Sequence, residues 1–325
     1  MFKFPFFVFV FILCFQAVFS QVTMDDAFWN EEQKKSFSLT FDNDTYYLTD
    51  YYYTQGLEFE LVLPAFNKSP LVRMLSKHEQ NSHCYSGVSL AQRLYTPKNI
   101  RDTLVQFNDR PFAATLEIDH FAYFINQETG LTLYSAIRLG VMGPAAGGEY
   151  LQQKIHDWID SPEANGWKYE IENDIILNFD LGVKIPLVYL PSFAISGTGK
   201  ARLGTLFDDV SAGLTLVAGQ QLFNTKAAQQ HQKSSATKRF TPYINIHTYI
   251  KWVGYNATMQ GGLFSPNDVY VLTYKEITPW VWSASAQVGF IWKKISLSYA
   301  HCYLTKEFNL GSDHQYGSFE LKVYF

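Results

Sequence analysis

Residues 173–185 read NDIILNFDLGVKI, and the spacing within this stretch decides the fold. Ile175, Leu177, Phe179, Leu181, Val183 and Ile185 fall on one side of an extended chain, and Asn178, Asp180 and Lys184 fall on the other. Successive side chains of a strand point to opposite faces, so this segment is a strand with one apolar face and one polar, charged face. The pattern recurs on both sides of it. In residues 36–42, SFSLTFD, Phe37, Leu39 and Phe41 oppose Ser38, Thr40 and Asp42; in residues 56–63, GLEFELVL, Leu57, Phe59, Leu61 and Leu63 oppose Glu58 and Glu60. Residues 243–252, YINIHTYIKW, and the last nine, GSFELKVYF, alternate in the same way. Further strand candidates are 86–95, 111–125, 131–141, 200–207, 211–219, 268–275, 281–292 and 294–304.

Two architectures use such strands: a soluble sandwich or propeller, and a barrel spanning a membrane, whose strands alternate and so leave mean hydropathy moderate. Three features favour the barrel. The polar faces carry charges in mid-strand, as a polar lumen allows. Tyr and Trp gather at strand ends (Tyr51 to Tyr53, Trp280, Trp282, Trp292), where interface girdles sit. The chain also closes on an aromatic-ended strand at Phe325. About twelve strands of about ten residues are expected, each long enough to cross a tilted bilayer path.

Composition agrees. The chain holds 27 Phe, 21 Tyr and 7 Trp, and its formal net charge of −4 gives no basic excess for nucleic acid. Its opening twenty residues, MFKFPFFVFVFILCFQAVFS, set one Lys before an apolar run and end on small residues. They read as a secretory signal peptide cut after Ser20, leaving residues 21–325 as one barrel domain. Beyond it no run of about 18 apolar residues supplies a membrane helix. Cys84 and Cys302 are the cysteines left, and spacing decides neither for nor against their pairing.

One segment loses the period of two. In residues 147–167, GGEYLQQKIHDWIDSPEANGW, Tyr150, Leu151, Ile155, Trp158 and Ile159 recur at helical spacing, and Ser161-Pro162 stops the run. A short amphipathic helix near 148–160 is expected. Residues 224–240, rich in Gln, Ser and Lys, read as a mobile loop.

The candidate chemistry sits in residues 41–57, FDNDTYYLTDYYYTQGL. Strand parity carried outward places Asp44 and Thr54 on the lumen side at one barrel end, with Asn43 at the frayed rim. A carboxylate, an amide carbonyl and a hydroxyl are hard oxygen donors suited to Ca²⁺; the same residues also suit an ordinary solvated turn. The tyrosines Tyr46, Tyr47 and Tyr51 to Tyr53 read as an interface belt. His156 shares a helix side with Gln152, Gln153 and Asp160, either as a solvated histidine or as a general base for water. No HExxH spacing implies zinc, and no G-x-S-x-G elbow supplies a serine nucleophile.

The stretch FDNDTYYLTDYYYTQG resembles the opening hairpin of the outer-membrane lipid A 3'-O-deacylases, where an Asn-Asp pair ends the first strand and Tyr-Thr-x-Gly opens the second. QRLYTP (92–97), RLGVMGPAAGGEYLQQKIH (138–156), NATMQGGLF (256–264) and TKEF followed by YGSFELKVYF resemble later family blocks in the same order. The resemblance implies a twelve-stranded outer-membrane barrel that removes the 3'-linked acyloxyacyl chain of lipid A in lipopolysaccharide with the help of Ca²⁺. It further implies catalytic roles for His156, Asn43, Asp44 and Thr54, metal ligation by Asp44, Asn43 and Thr54, and a substrate-binding cation at Lys98 or Arg101. The competing readings are an outer-membrane phospholipase and a non-catalytic porin-like or adhesin-like barrel.

Overall fold

In the computed structural model, which describes residues 35–44, 47, 49–70, 72, 82–190, 192–219, 240–265 and 267–325, the alternating stretch at 173–185 lies in a strand, Asp174–Leu190. Ile175, Leu177, Phe179, Leu181 and Ile185 are exposed on its outside, whereas Asn178, Asp180 and Lys184 are buried on its inside. Twelve strands repeat this arrangement: β1 Ser36–Asn43, β2 Tyr52–Val62, β3 Ser82–Thr96, β4 Ala113–Asn126, β5 Thr132–Met142, β6 Asp174–Leu190, β7 Phe193–Gly204, β8 Phe207–Gly219, β9 Thr241–Asn256, β10 Trp280–Trp292, β11 Ile295–Leu304 and β12 His314–Tyr324. Among the described residues two α-helices interrupt them, α1 Gly148–Ile159 and α2 Ala257–Gln260.

Each strand pairs antiparallel with its sequence neighbours, and β1 closes on β12 with Phe37 opposite Val323 and Phe41 opposite Phe319. Closure leaves no edge, so every strand's backbone is satisfied inside the sheet, which a membrane requires of a β structure. The outward faces are apolar, and Trp280 and Trp282 stand exposed at one end of β10 with Trp292 at the other. Thirteen residues separate those ends inclusively, which at ~3.4 Å per residue and a ~45° tilt spans roughly the hydrocarbon thickness of a bilayer.

Charged pairs occupy the lumen. Arg138 grips Asp119 at 2.8 and 3.0 Å and reaches Glu117 at 3.0 Å, while Arg93 joins Glu117 at 2.8 Å to Glu58 at 2.9 Å. Lys200 meets Asp180 at 2.7 Å. Buried charges persist only when paired in this way, so each inward charge of one strand needs the opposite charge on a neighbour, which ties the register of β2 to β7 together.

The sequence expectations fail in three places. Residues 268–275 form no strand: Leu272 is buried and its amide donates to the Met259 carbonyl at 2.8 Å, while Val269 and Tyr274 are exposed. This apolar run is a loop folded over the mouth, closed by a turn in which Glu276 and Ile277 donate to the Thr273 carbonyl. The expected strand 200–207 is not one strand: β7 spans Phe193–Gly204, its start hidden because Gly197 and Gly199 on its outward side dilute the apolar signal, and Phe207 already opens β8. Finally, Tyr51 to Tyr53 are not a membrane belt. Tyr53 is buried and donates to Asp42 at 2.5 Å between the Tyr95 and Tyr316 rings, and Tyr52 is buried against Phe308 and His314. Tyr47 does reach the outer wall, where its hydroxyl meets Tyr299 and His301 on the outward face of β11. Cys84 and Cys302 are free thiols. The expected signal peptide at 1–20, Tyr46 and most of the loop at 224–240 lie outside the described residues.

Candidate active site

The chain ends of the barrel, Ser36 and Tyr324, pair with one another at one rim. The opposite rim carries the β1–β2 connection, α1 and the long connections at 97–112 and 257–279. The site is built there, from the β1–β2 connection and α1.

Helix α1 lies against the outer wall of the barrel. Leu94 of β3, Ala114 and Leu116 of β4 and Val141 of β5 share the outward parity of the exposed Leu90, Ile118 and Leu139, and they pack with Ala146, Leu151 and Trp167. Two glycines make the seating possible. Gly147 takes a left-handed φ of 71° at the helix start, which favours glycine. A side chain on Gly148 would place its Cβ 2.4 Å from that of Ala114 and 2.7 Å from the Trp167 ring. The Gly-Pro-Ala-Ala-Gly-Gly run is therefore the hinge and contact pad of the helix. At the other end Asp160 adopts a left-handed conformation and donates its amide to the His156 carbonyl, stopping the helix.

The seating turns the His156 side of the helix inward, so His156 is not a solvated histidine. Gln152 and His156 are buried, while Tyr150 and Trp158 are exposed. Trp167 Nε1 donates to Gln152 Oε1 at 2.6 Å, which aims Gln152 Nε2 at Asp50 Oδ1, 3.2 Å away. His156 Nε2 lies 3.2 Å from Asp50 Oδ2, and its Nδ1 lies 2.5 Å from the Pro162 carbonyl oxygen.

Asp50 comes from the β1–β2 connection. Tyr52 sits there at a left-handed φ of 64°, and the preceding amide, of Tyr51, donates to Asp44 Oδ2 at 3.0 Å. Two residues on, β2 bulges: Tyr53 pairs with Tyr95 and Gln55 with Leu94, leaving Thr54 as the extra residue. The bulge corrects the parity argument. Tyr53 takes the inward position, and Thr54 turns to Asp44 and Asp50, toward α1 on the outer wall rather than into the lumen. The Thr54 hydroxyl donates to Asp50 Oδ1 at 2.5 Å and lies 3.3 Å from Asp44 Oδ1.

Of the sequence-predicted site residues, Asp44, Thr54 and His156 are thus brought together, with Asp50 as the missing link between them. Asn43 ends β1 opposite Gln55 and Gly317, next to Asp44 and half-buried. Lys98 is exposed, donates to Ser312 Oγ at 2.6 Å and stands 5.8 Å over the Tyr51 ring, one residue from the site. Arg101 is exposed, and its backbone carbonyl accepts from Asn165 Nδ2 at 3.4 Å.

The electrostatics differ at the two ends of the chain of contacts. Burial pushes the Asp44 carboxyl up to about 8, reinforced by the negative charge of Asp50 and only partly offset by the Tyr51 amide and Thr49. No basic side chain among the described residues pairs with it. A protonated Asp44 can donate to Thr54, which donates on to Asp50. Burial disfavours the charged form of His156, but the hydrogen bond and charge of Asp50, with the Pro162 carbonyl and Asp157, outweigh it and raise its pKa above the ordinary value.

The donor set fits a hard cation. Asp44 is buried without a positive partner, and a second carboxylate and a hydroxyl stand beside it, all oxygen donors. Among the described residues no three His, Cys, Asp or Glu side chains form a complete metal cage, so other oxygens would complete the shell.

Fold and site define a class: a closed outer-membrane β-barrel with an Asp–Thr–Asp–His site on the outer side of one rim. The chain belongs to the family described as outer membrane protein LpxR, whose profile matches residues 6–325. Among solved structures it is similar to LpxR from Salmonella typhimurium, with 19% identity and a TM-score of 0.69 over 89% of this chain and 100% of that one. It also aligns with the β domain of the Bordetella autotransporter BrkA, with 10% identity and a TM-score of 0.43 over 90% and 99% of the two chains. No curated protein matches in sequence.

Proposed function

We propose that this outer-membrane barrel is a lipid A 3'-O-deacylase, a hydrolase of the ester that holds the 3'-linked acyloxyacyl chain on lipopolysaccharide. The observation that carries the reading is the unbroken contact path from Asp44 through Thr54 and Asp50 to His156, on the lipid-facing side of the rim. Family membership supports the substrate class.

The Pro162 carbonyl accepts from Nδ1, so neutral His156 keeps its proton there and presents the Nε2 lone pair. That nitrogen takes the proton of a water molecule as the water attacks the ester carbonyl. Asp50, itself fixed by Thr54 and Gln152, faces this same nitrogen, so the attacking water enters beside it, and Asp50 accepts from Nε2–H once the imidazolium forms and stabilises that charged state, while the Pro162 carbonyl holds the neutral ring through Nδ1. His156 then returns the proton to the departing sugar oxygen. No side chain is acylated, in keeping with the lack of a serine elbow. Asp44 and Thr54, with Asn43 beside them, would hold Ca²⁺, which when bound supplies a Lewis acid for the carbonyl oxygen. Lys98 stands where it can meet a phosphate or carbonyl oxygen of the substrate.

The test is a purified-protein assay with lipid A in detergent and Ca²⁺. Wild-type protein should liberate the 3-acyloxyacyl acid, and intact-protein mass should show no acyl adduct at any stage. No release by well-folded wild-type barrel with Ca²⁺ present, or an acyl adduct on the protein, would overturn the reading.

A further inference from the structure

Helix α1 runs along the rim rather than away from it. Gly148 at its start touches Ala114 of β4, and His156 near its end meets Asp50 of the β1–β2 connection, so the helix crosses β3 tangentially. One of its flanks must therefore face down the barrel wall and the other up, away from the bilayer.

The residues sort by flank. At 3.6 residues per turn, Gln152 and His156 form the inward face. On one side of it lie Ile159, Ile155, Leu151 and Trp158, an apolar flank; on the other lie Glu149, Gln153 and Asp157, a polar one. Lys154 falls on the outermost line, with Trp158 about 40° from it at the outer edge of the apolar flank and Tyr150 about 40° from it at the outer edge of the polar one. Leu151 shows which flank points down: it packs on the same cluster, around Leu94, Ala114 and Trp167, as Leu116 and Val141, outward-facing wall residues next above the exposed Ile118 and Leu139. Trp158, on the same flank, is 59% exposed and has no protein partner among the ring contacts of the described residues.

We propose that this flank is a lipid-contacting surface, and that α1 is an interfacial helix seated in the outer leaflet at the boundary of acyl chains and headgroups. The occupant is lipid, because the flank shares its packing cluster with Leu116 and Val141 of the outer wall, which lead along β4 and β5 to the exposed Ile118 and Leu139. A helix with an apolar flank, a polar flank and an aromatic residue at the border lies in the plane of such an interface. Trp prefers that level, and Lys154 reaches from it toward headgroup phosphate. Seated so, the helix holds His156 at the depth of an acyl ester, and substrate reaches it laterally without leaving the bilayer. This last consequence rests on the deacylase reading; the lipid contact does not.

The experiment is nitroxide labelling in vesicles of phosphatidylethanolamine and phosphatidylglycerol. Labels go on Trp158→Cys and, separately, Asp157→Cys, in a full chain carrying Cys84→Ser and Cys302→Ser. The Trp158→Cys label should be reached by oxygen and protected from a polar nickel chelate, and the Asp157→Cys label should show the reverse. Equal nickel access at both positions overturns the proposal, as does protection of Trp158→Cys from both reagents, which marks a protein partner or a second copy. If the cysteine-substituted chain fails to fold, wild-type protein is compared with Trp158→Phe in vesicles of brominated lipid. Loss of a quenched component in the variant supports the contact, and unchanged quenching overturns it. These readouts need no activity, so a barrel that contacts lipid through Trp158 yet leaves lipid A intact fails the deacylase reading alone.

Discussion

Asp50 Oδ2 and His156 Nε2 stand 3.2 Å apart, joining a strand connection at one edge of the rim to a helix seated on the outer wall. That contact favours the charged imidazole, whose Nε2–H it accepts, while the Pro162 carbonyl fixes the ring through Nδ1.

A pH profile follows from it. The reactive form of His156 is the neutral one, so kcat/KM should rise with pH through the histidine pKa, which Asp50 holds above the usual ~6.5. Asp50→Asn removes the main influence that offsets burial and leaves only the Pro162 carbonyl and Asp157 against it, so the acidic limb should move to lower pH while the maximal rate falls. A rate loss with an unmoved limb would assign Asp50 a merely structural part.

Calcium should act on stability as well as on rate. With a folded pKa of about 8, well above the usual carboxylate value, Asp44 holds a proton in the folded state that the unfolded chain gives up. Its contribution to stability therefore declines as pH rises from the unfolded value toward 8. In chelator at pH 8, Asp44→Asn should unfold at a higher temperature than wild type, read by the heat-dependent gel shift of the barrel. Ca²⁺ should raise wild type and leave the variant unchanged.

Gly148→Ala should displace α1 without opening the barrel. Its methyl has no space between Ala114 and Trp167, an overpacking that costs about 1–3 kcal/mol. Deacylation should fall at least about tenfold, the rate equivalent of ~1.4 kcal/mol. The barrel's heat-dependent mobility should stay, and Ala114→Gly in the same chain should recover part of the activity.

Lys98 and Arg101 should separate in kinetics. Lys98→Ala, beside the Tyr51 ring, should raise KM for lipid A, whereas Arg101→Ala, exposed and remote from the described site contacts, should match wild type.

Much of this is legible in the sequence. The alternation at Ile175 to Ile185 and its repeats gave the barrel, because in lipid the apolar face has nowhere to go but out. Asp44, Thr54 and His156 were also readable, and they do converge. Asp50 was not, although it stands four residues before Thr54: an acidic residue in a Tyr-rich turn looks solvated until the helix arrives over it. The facing of Thr54 was misread because parity breaks at a bulge, and a bulge carries no composition signal. The facing of α1 is not legible in the sequence, because apolar spacing marks which residues share a side and says nothing about whether that side meets protein or lipid.

The central claim is most directly tested on lipid A itself. Cells with hexa-acylated lipid A expressing wild type, His156→Ala or Asp50→Asn would be extracted and the lipid A weighed by mass spectrometry. The account predicts loss of the mass of the 3'-acyloxyacyl group with wild type, none with His156→Ala, and a reduced fraction with Asp50→Asn. Unchanged lipid A around wild-type barrel in the outer membrane, or full conversion by His156→Ala, would contradict it.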